Sequence, residues 1–183
     1  MLSDNEVKNK FDILVNKLQA GLFSEVISEA TILLKKRQHQ VFFNILSLAY
    51  QSIGEFQKSV DVMEKALKQN ANNPYFLNNM GTSQHKLENF SQAEEYFKRG
   101  LAIAPNYINI LNNFGNLKKD LNFTKEAIEF FKKSISIKND VIETHLNIAN
   151  CYQSIGEYTE SIFHFNEVLK INPKYTISDR LIS

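Results

Sequence analysis

Asn79, Asn113 and Asn147 stand thirty-four residues apart, each two positions ahead of a small residue: Gly81, Gly115 and Ala149. A primary carboxamide offers two N–H donors and one carbonyl acceptor. That is the complement of a peptide group, whose own N–H and C=O need partners when buried. A row of such side chains is therefore suited to bonding the backbone of an extended peptide. Further polar groups keep fixed offsets from the three: Asn78 and Asn112 one position earlier, Tyr75, Asn109 and Glu143 four earlier, Thr82, Asn116 and Asn150 three later. Asparagine competes with helical backbone hydrogen bonds, so its concentration in helical segments needs a reason. Two compete: the carboxamides bond a neighbouring segment of their own chain, or they bond a partner.

Other chemistry-bearing residues form no catalytic set. The histidines, at 39, 85, 145 and 164, include no pair four residues apart, and there is no Cys-x-x-Cys to complete a metal set. His145 reads as a packing residue at a helix start and His164 as a surface or half-buried one. Cys151 shares a face with Ile148 and Ile155 and reads as an inert buried thiol. Glu94 and Glu95 each have a cation four positions on, Lys98 and Arg99, the pattern of a solvated helix face. The six glycines are scattered singly, so there is no phosphate-binding loop. The expectation is a non-enzymatic chain with no cofactor and no metal.

Charge narrows the partners. With 21 basic and 20 acidic residues among 183, the net charge is +1, giving no bulk attraction to nucleic acid or an anionic membrane. No segment approaches the roughly 20 apolar residues of a membrane helix, and the N-terminus lacks a basic-then-apolar leader. The lone cysteine excludes an internal disulfide. These features lead us to expect a cytoplasmic chain with no nucleic-acid or membrane partner.

The elements that position the asparagines follow from the same period. Leu77-Asn78-Asn79-Met80-Gly81, Leu111-Asn112-Asn113-Phe114-Gly115 and His145-Leu146-Asn147-Ile148-Ala149 are in register, as are Ala93, Ala127 and Ser161, and Phe97, Phe131 and Phe165. A fixed period of this size marks a solenoid of stacked units. Each unit reads as two helices around a short turn. Phe11, Leu14, Val15 and Leu18 share one face before Gly21, and Val26, Ala30, Leu33 and Leu34 resume it. Gln51-Ser52-Ile53-Gly54-Glu55-Phe56 recurs three periods later as Gln153-Ser154-Ile155-Gly156-Glu157-Tyr158. Small residues are expected at close helix crossings, Gly81 against Ala93, Gly115 against Ala127 and Ala149 against Ser161, with the phenylalanines filling the space beside them.

A 34-residue helical hairpin with these small residues, an aromatic after the turn (Phe56, Phe90, Tyr158) and proline near the boundary (Pro105, Pro173) resembles the tetratricopeptide repeat. The resemblance implies an all-α, right-handed α-solenoid of about five hairpins: 7–39, 40–73, 74–107, 108–141 and 142–175. Residues 1–6 form a polar lead-in, and 176–183 start a capping helix or a linker. Leu121-Asn122-Phe123 departs from the pattern by lacking the turn glycine, and His145 stands where a large apolar residue is usual.

The Asn-x-Gly signature is similar to the inner face of the tetratricopeptide superhelix of O-linked N-acetylglucosamine transferase, whose asparagine ladder holds peptide backbone. On that resemblance Asn79, Asn113 and Asn147 are peptide-binding residues. Asn116, Asn150, Asn78, Asn112, Asn109, Tyr75 and Thr82 join them by position on the same inner face. The expected function is a protein-interaction scaffold holding an extended segment in an uncharged groove. One alternative is the substrate-presenting arm of a larger glycosyl- or sulfotransferase, the other a self-assembling module. Ile177, Leu181 and Ile182 can begin only a short helix, so an apolar face around Phe165, Val168 and Leu169 is expected to stay open, either because the chain is cut from a longer protein or because two copies pair through the C-terminal hairpin.

Overall fold

The computed structural model describes residues 2–176, and among them there are ten α-helices and no strand. They are α1 Asp4–Gln19, α2 Phe23–Lys36, α3 Gln40–Ser52, α4 Phe56–Gln69, α5 Pro74–Lys86, α6 Phe90–Ile103, α7 Ile108–Asp120, α8 Thr124–Ile137, α9 Ile142–Ser154 and α10 Tyr158–Ile171. Consecutive helices pair as hairpins, the arrangement of an all-α solenoid. The helices form two compact units that divide between Ile103 and Ala104.

The lead-in is shorter than six residues. Ser3 accepts from the Glu6 backbone N–H at 3.3 Å while Glu6 Oε2 accepts from the Ser3 N–H at 2.7 Å. This reciprocal cap starts α1 at Asp4. Asn73 likewise caps α5, its side-chain oxygen accepting from Tyr75 N at 2.9 Å, with Pro74 at the first helical position.

All five turns inside the hairpins use one backbone geometry. Gly21, Gly54, Glu88, Asn122 and Gly156 have φ between 61° and 82°. The following residue donates back five positions: Leu22 to Lys17 O, Glu55 to Tyr50 O, Asn89 to Gln84 O, Phe123 to Lys118 O and Glu157 to Tyr152 O, at 2.8–3.0 Å. This is the left-handed C-terminal closure that favours glycine. Asparagine tolerates it and glutamate less so, so the third hairpin also departs from the turn pattern, at Glu88.

In the unit of α1–α6, one apolar cluster joins Leu14, Val26, Ala30, Phe42, Ile45 and Leu46, and a second joins Phe43, Val60, Met63, Phe76 and Met80. In the unit of α7–α10, Ala127, Ile128, Phe131, Ile148 and Cys151 cluster between α8 and α9. The glycine crossings differ in detail from expectation. A Cβ placed on Gly81 would lie 2.5 Å from the Phe97 ring, and one on Gly115 would lie 2.6 Å from the Phe131 ring. The glycines thus admit a buried aromatic ring four residues beyond Ala93 and Ala127. The third pair is as expected, with Ser161 Oγ donating to Ala149 O at 2.9 Å.

Candidate functional site

In the first unit the asparagines are tied into the structure. Asn79 is 4% exposed and Asn78 7%. Asn79 Nδ2 donates to Asn44 Oδ1 at 2.7 Å, crossing from α5 to α3, and Asn78 Nδ2 donates to Asn79 Oδ1 at 3.3 Å. Backbone oxygens nearby are also occupied: Gln51 Nε2 donates to Asn79 O at 2.9 Å, and Thr82 Oγ1 to Asn78 O at 2.9 Å. Gln51 continues to Ser83, which bonds Ser59, which bonds Ser47, each at 2.7–2.8 Å. Buried polar groups satisfied in this way fix helix register. Asn78 and Asn79 thus join one hairpin to the next.

Beside them lies a cavity of about 450 Å³ lined by Phe11, Gln40, Val41, Asn44, Asn73 and Tyr75, among others. Tyr75, 55% exposed, is the member of the expected set at this opening. Asn73 Nδ2 donates to Gln40 Oε1 at 3.2 Å, so the N-cap of α5 meets the first residue of α3 at the cavity wall. Sequence reasoning missed Phe11, Gln40, Asn44 and Asn73. Asn44 had a signal: it stands thirty-four residues before Asn78.

The second unit differs. Asn109 is exposed, and Asn112, Asn113, Asn116, Asn147 and Asn150 are half-buried. Thr144 Oγ1 donates to Asn112 Oδ1 at 3.2 Å. Lys119 Nζ donates to Asn116 Oδ1 at 3.4 Å and to Asn147 Oδ1 at 3.3 Å. The expectation of an uncharged groove is therefore corrected here, because α7 places an ammonium among the carboxamides. An ammonium only donates, so both carboxamide oxygens turn to it and their NH2 groups are directed elsewhere. The neighbouring Lys118 is buried and paired to Glu126 at 2.9 Å.

The histidines provide the largest correction. His164 is buried, and its Nδ1 lies 3.0 Å from Nδ1 of buried His145, whose Nε2 lies 2.8 Å from Asn139 O. A carbonyl accepts only, so His145 carries its proton on Nε2 and His164 must donate from Nδ1. Tyr152 stacks on His164 at 5.9 Å, and burial pushes the His164 pKa down to about 4, aided by His145 and Lys132 against the opposing pull of Glu167. Burial likewise raises the Cys151 thiol, with Lys119 pulling the other way, in keeping with an inert cysteine. Among the described residues no three His, Cys, Asp or Glu side chains gather as a metal site, and no helix is long and apolar enough to cross a membrane. Glu94–Lys98 and Glu95–Arg99 form their ion pairs at 2.7 and 3.8 Å.

At the C-terminal hairpin Val168 is 2% exposed, which removes it from the expected open face; Phe165 is half-buried. The exposed large apolar groups of α10 are Tyr158, Ile162, Phe163 and Leu169. The expected capping stub at Ile177, Leu181 and Ile182 lies outside the described residues.

Sequence profiles described as tetratricopeptide repeat match residues 74–107 and 142–175, and a second such profile matches 41–73 and 108–141. Comparison with curated proteins by sequence yields no match. Among solved structures, the chain is similar to TTC0263, a thermophilic TPR protein in Thermus thermophilus, at 16% identity and a TM-score of 0.82, covering 91% of this chain and 92% of that one. A crystal structure of MamA aligns at 21% identity and 0.71, covering 88% and 95%. MamA from Desulfovibrio magneticus RS-1 aligns at 17% and 0.72, covering 94% and 98%. Identities this low speak to fold alone.

Proposed function

The chain belongs to the tetratricopeptide repeat family, and we propose that it is a protein-interaction scaffold whose first helices hold an extended segment of a partner protein. The observation that carries this reading is the cavity beside α1, α3 and α5, where the rings of Phe11 and Tyr75 stand among the carboxamides of Gln40, Asn44 and Asn73. Rings accept apolar side chains, and carboxamides match the donors and acceptors of backbone. In the other unit the half-buried Asn113, Asn116, Asn147 and Asn150, with Lys119, offer a separate polar stretch to the same kind of partner. No catalytic role enters the proposal.

The test is a selection of unstructured peptides on the 183-residue chain, followed by titration against variants. Tyr75→Ala should weaken a selected peptide by about tenfold, roughly 1.4 kcal/mol. Asn79→Ala should instead lower stability by about 1–3 kcal/mol, by stranding the buried Asn78 and half-buried Asn44 groups it bonds. Tight peptides indifferent to Tyr75→Ala and to Asn113→Ala with Asn147→Ala would overturn the assignment to this face.

A second reading, self-assembly, draws support from α10. Ile128 in α8 is 4% exposed because α9 covers it, whereas Ile162, one period later, is 59% exposed. An uncovered equivalent of an interface residue favours a further helix packed on α10, most simply from a second copy. Light scattering should show a concentration-dependent mass that Ile162→Asp abolishes; a monomer at all concentrations would exclude it.

A further inference from the structure

A second cavity in the first unit, of about 460 Å³, opens between α2 and α4 and shares no lining residue with the one beside Tyr75. Its apolar lining is Leu34, Phe43, Leu46 and Val62. Gln69 Nε2 donates to Gln38 Oε1 at 2.6 Å, linking residues of the lining that follow Leu34 and Val62 in sequence. Lys35, Lys65 and Lys68 also line the cavity, all three exposed and none with an ion-pair or hydrogen-bond partner among the described residues. Three ammonium groups thus stand around one apolar opening and give it a local positive charge.

The repeat explains why the cavity exists. One period after Val62 stands Tyr96, and two periods after it stands Phe130. Phe130 stacks on Phe114 with ring centroids 4.3 Å apart, and the pair equivalent to Phe130 and Phe114 here is Val62 and Leu46. Two smaller side chains therefore replace two rings. Lys65 is affected as well. Its equivalent Arg99 sits over the Tyr96 ring at 5.5 Å, whereas Lys65 has only Val62 at the matching position. Phe43 brings a ring to the lining where Leu77 and Leu111 stand, but the place of the Phe130 ring is taken by Val62, beside three cations without a close ion-pair partner.

We propose that this crevice docks an acidic segment of a partner protein by taking up one of its aromatic side chains. The ring fills the space that Phe130 fills in α8 and gives Lys65 the π face that Arg99 finds on Tyr96. Carboxylates flanking the aromatic residue pair with Lys35, Lys65 and Lys68. This surface is independent of the first-helix face.

The test uses the isotopically labelled 183-residue chain and an acetylated, amidated Glu-Glu-Phe-Glu-Glu peptide, followed by nuclear magnetic resonance. Shift changes should concentrate around Leu34, Val62 and Lys65, and added salt should weaken binding. Replacing the peptide's phenylalanine with alanine, or its glutamates with lysines, should cost at least about tenfold. Val62→Phe, which restores the ring found in α8, should abolish binding while the chain keeps its helicity. Should that variant fail to fold, Lys65→Gln with Lys68→Gln serves the same purpose and should weaken binding and flatten its salt dependence. Tyr75→Ala should leave it unchanged. Equal binding of the alanine peptide, shifts mapping elsewhere, indifference to the lysine changes, or retention on phosphatidylserine vesicles without peptide binding would each overturn the proposal.

Discussion

Gly115→Ala is the substitution whose outcome the packing dictates most closely. The new Cβ would sit 2.6, 2.8 and 2.9 Å from three atoms of the Phe131 ring, distances that no real contact of this type sustains. Phe131 is fully buried between α7 and α9, so the ring cannot swing away without displacing Ala127, Ile148 or Cys151. Overpacking of this kind costs about 1–3 kcal/mol. Against it stands the helix propensity gained on replacing a mid-helix glycine by alanine, about 1 kcal/mol. The net expectation is a loss of about 1 kcal/mol, where an open helical site would show a gain of the same size. Urea denaturation followed by circular dichroism measures it, with Lys133→Ala as an exposed control expected within about 0.5 kcal/mol of the parent. A double-mutant cycle sharpens the assignment. Combined with Phe131→Leu, which shortens the ring, Gly115→Ala should become neutral or stabilising, a coupling of about 1–2 kcal/mol. If Gly115→Ala alone raises stability, or if the two changes are additive, the crossing of α7 and α8 is not limited by this contact and the reasoning fails.

The turn geometry gives a prediction of opposite sign: Glu88, at φ 61°, holds a conformation that glycine adopts without cost, so Glu88→Gly should stabilise the chain by about 1 kcal/mol in the same assay. The histidine pair makes stability depend on pH. Because the folded-state pKa of His164 is depressed to about 4 from an ordinary value near 6.5, the unfolded chain binds protons first as pH falls. Stability should be full above about pH 6.5 and be lost progressively down to about pH 4, and His164→Phe should remove most of that slope; a parent whose melting temperature is flat across this window contradicts a buried, neutral His164.

What was legible in the sequence was whatever the period dictates. The hairpins, their turns and the close approach at Gly81 and Gly115 follow from which positions repeat, because backbone geometry and the burial face are set locally. The direction of a polar side chain is not. Asn79 and Asn113 occupy the same repeat position, yet Asn79 is buried against Asn44 while Asn113 is half-buried. Lys119 is legible as one of the cations nearest the asparagines, but its contact with them is not. It stands at the far end of α7, and only its long side chain brings the ammonium to Asn147, twenty-eight residues away. The division between Ile103 and Ala104 leaves no mark on the period, which runs through it unbroken.

One position in the second helices shows how a repeat acquires separate chemistries without altering its fold. Val62, Tyr96, Phe130 and His164 are related by the thirty-four-residue step. Each lies on the second helix of its hairpin, at the side facing the first. Phe130 meets another ring, Phe114, and closes its crevice with apolar stacking. Tyr96 presents its face to Arg99. His164 meets His145, a residue at the position that Leu111 and Leu77 occupy, and the apolar contact becomes a buried hydrogen bond sensitive to protons. Val62 meets Leu46 and leaves the crevice open beneath three lysines. The backbone tolerates all four because the helix pair is held elsewhere, by Ala66, Gly81, Gly115 and Ala149 and the rings and hydroxyls packed on them. Close packing at the crossing frees the flanking position from structural duty. It is therefore there, rather than at the repeated asparagines alone, that selectivity between partners has room to arise.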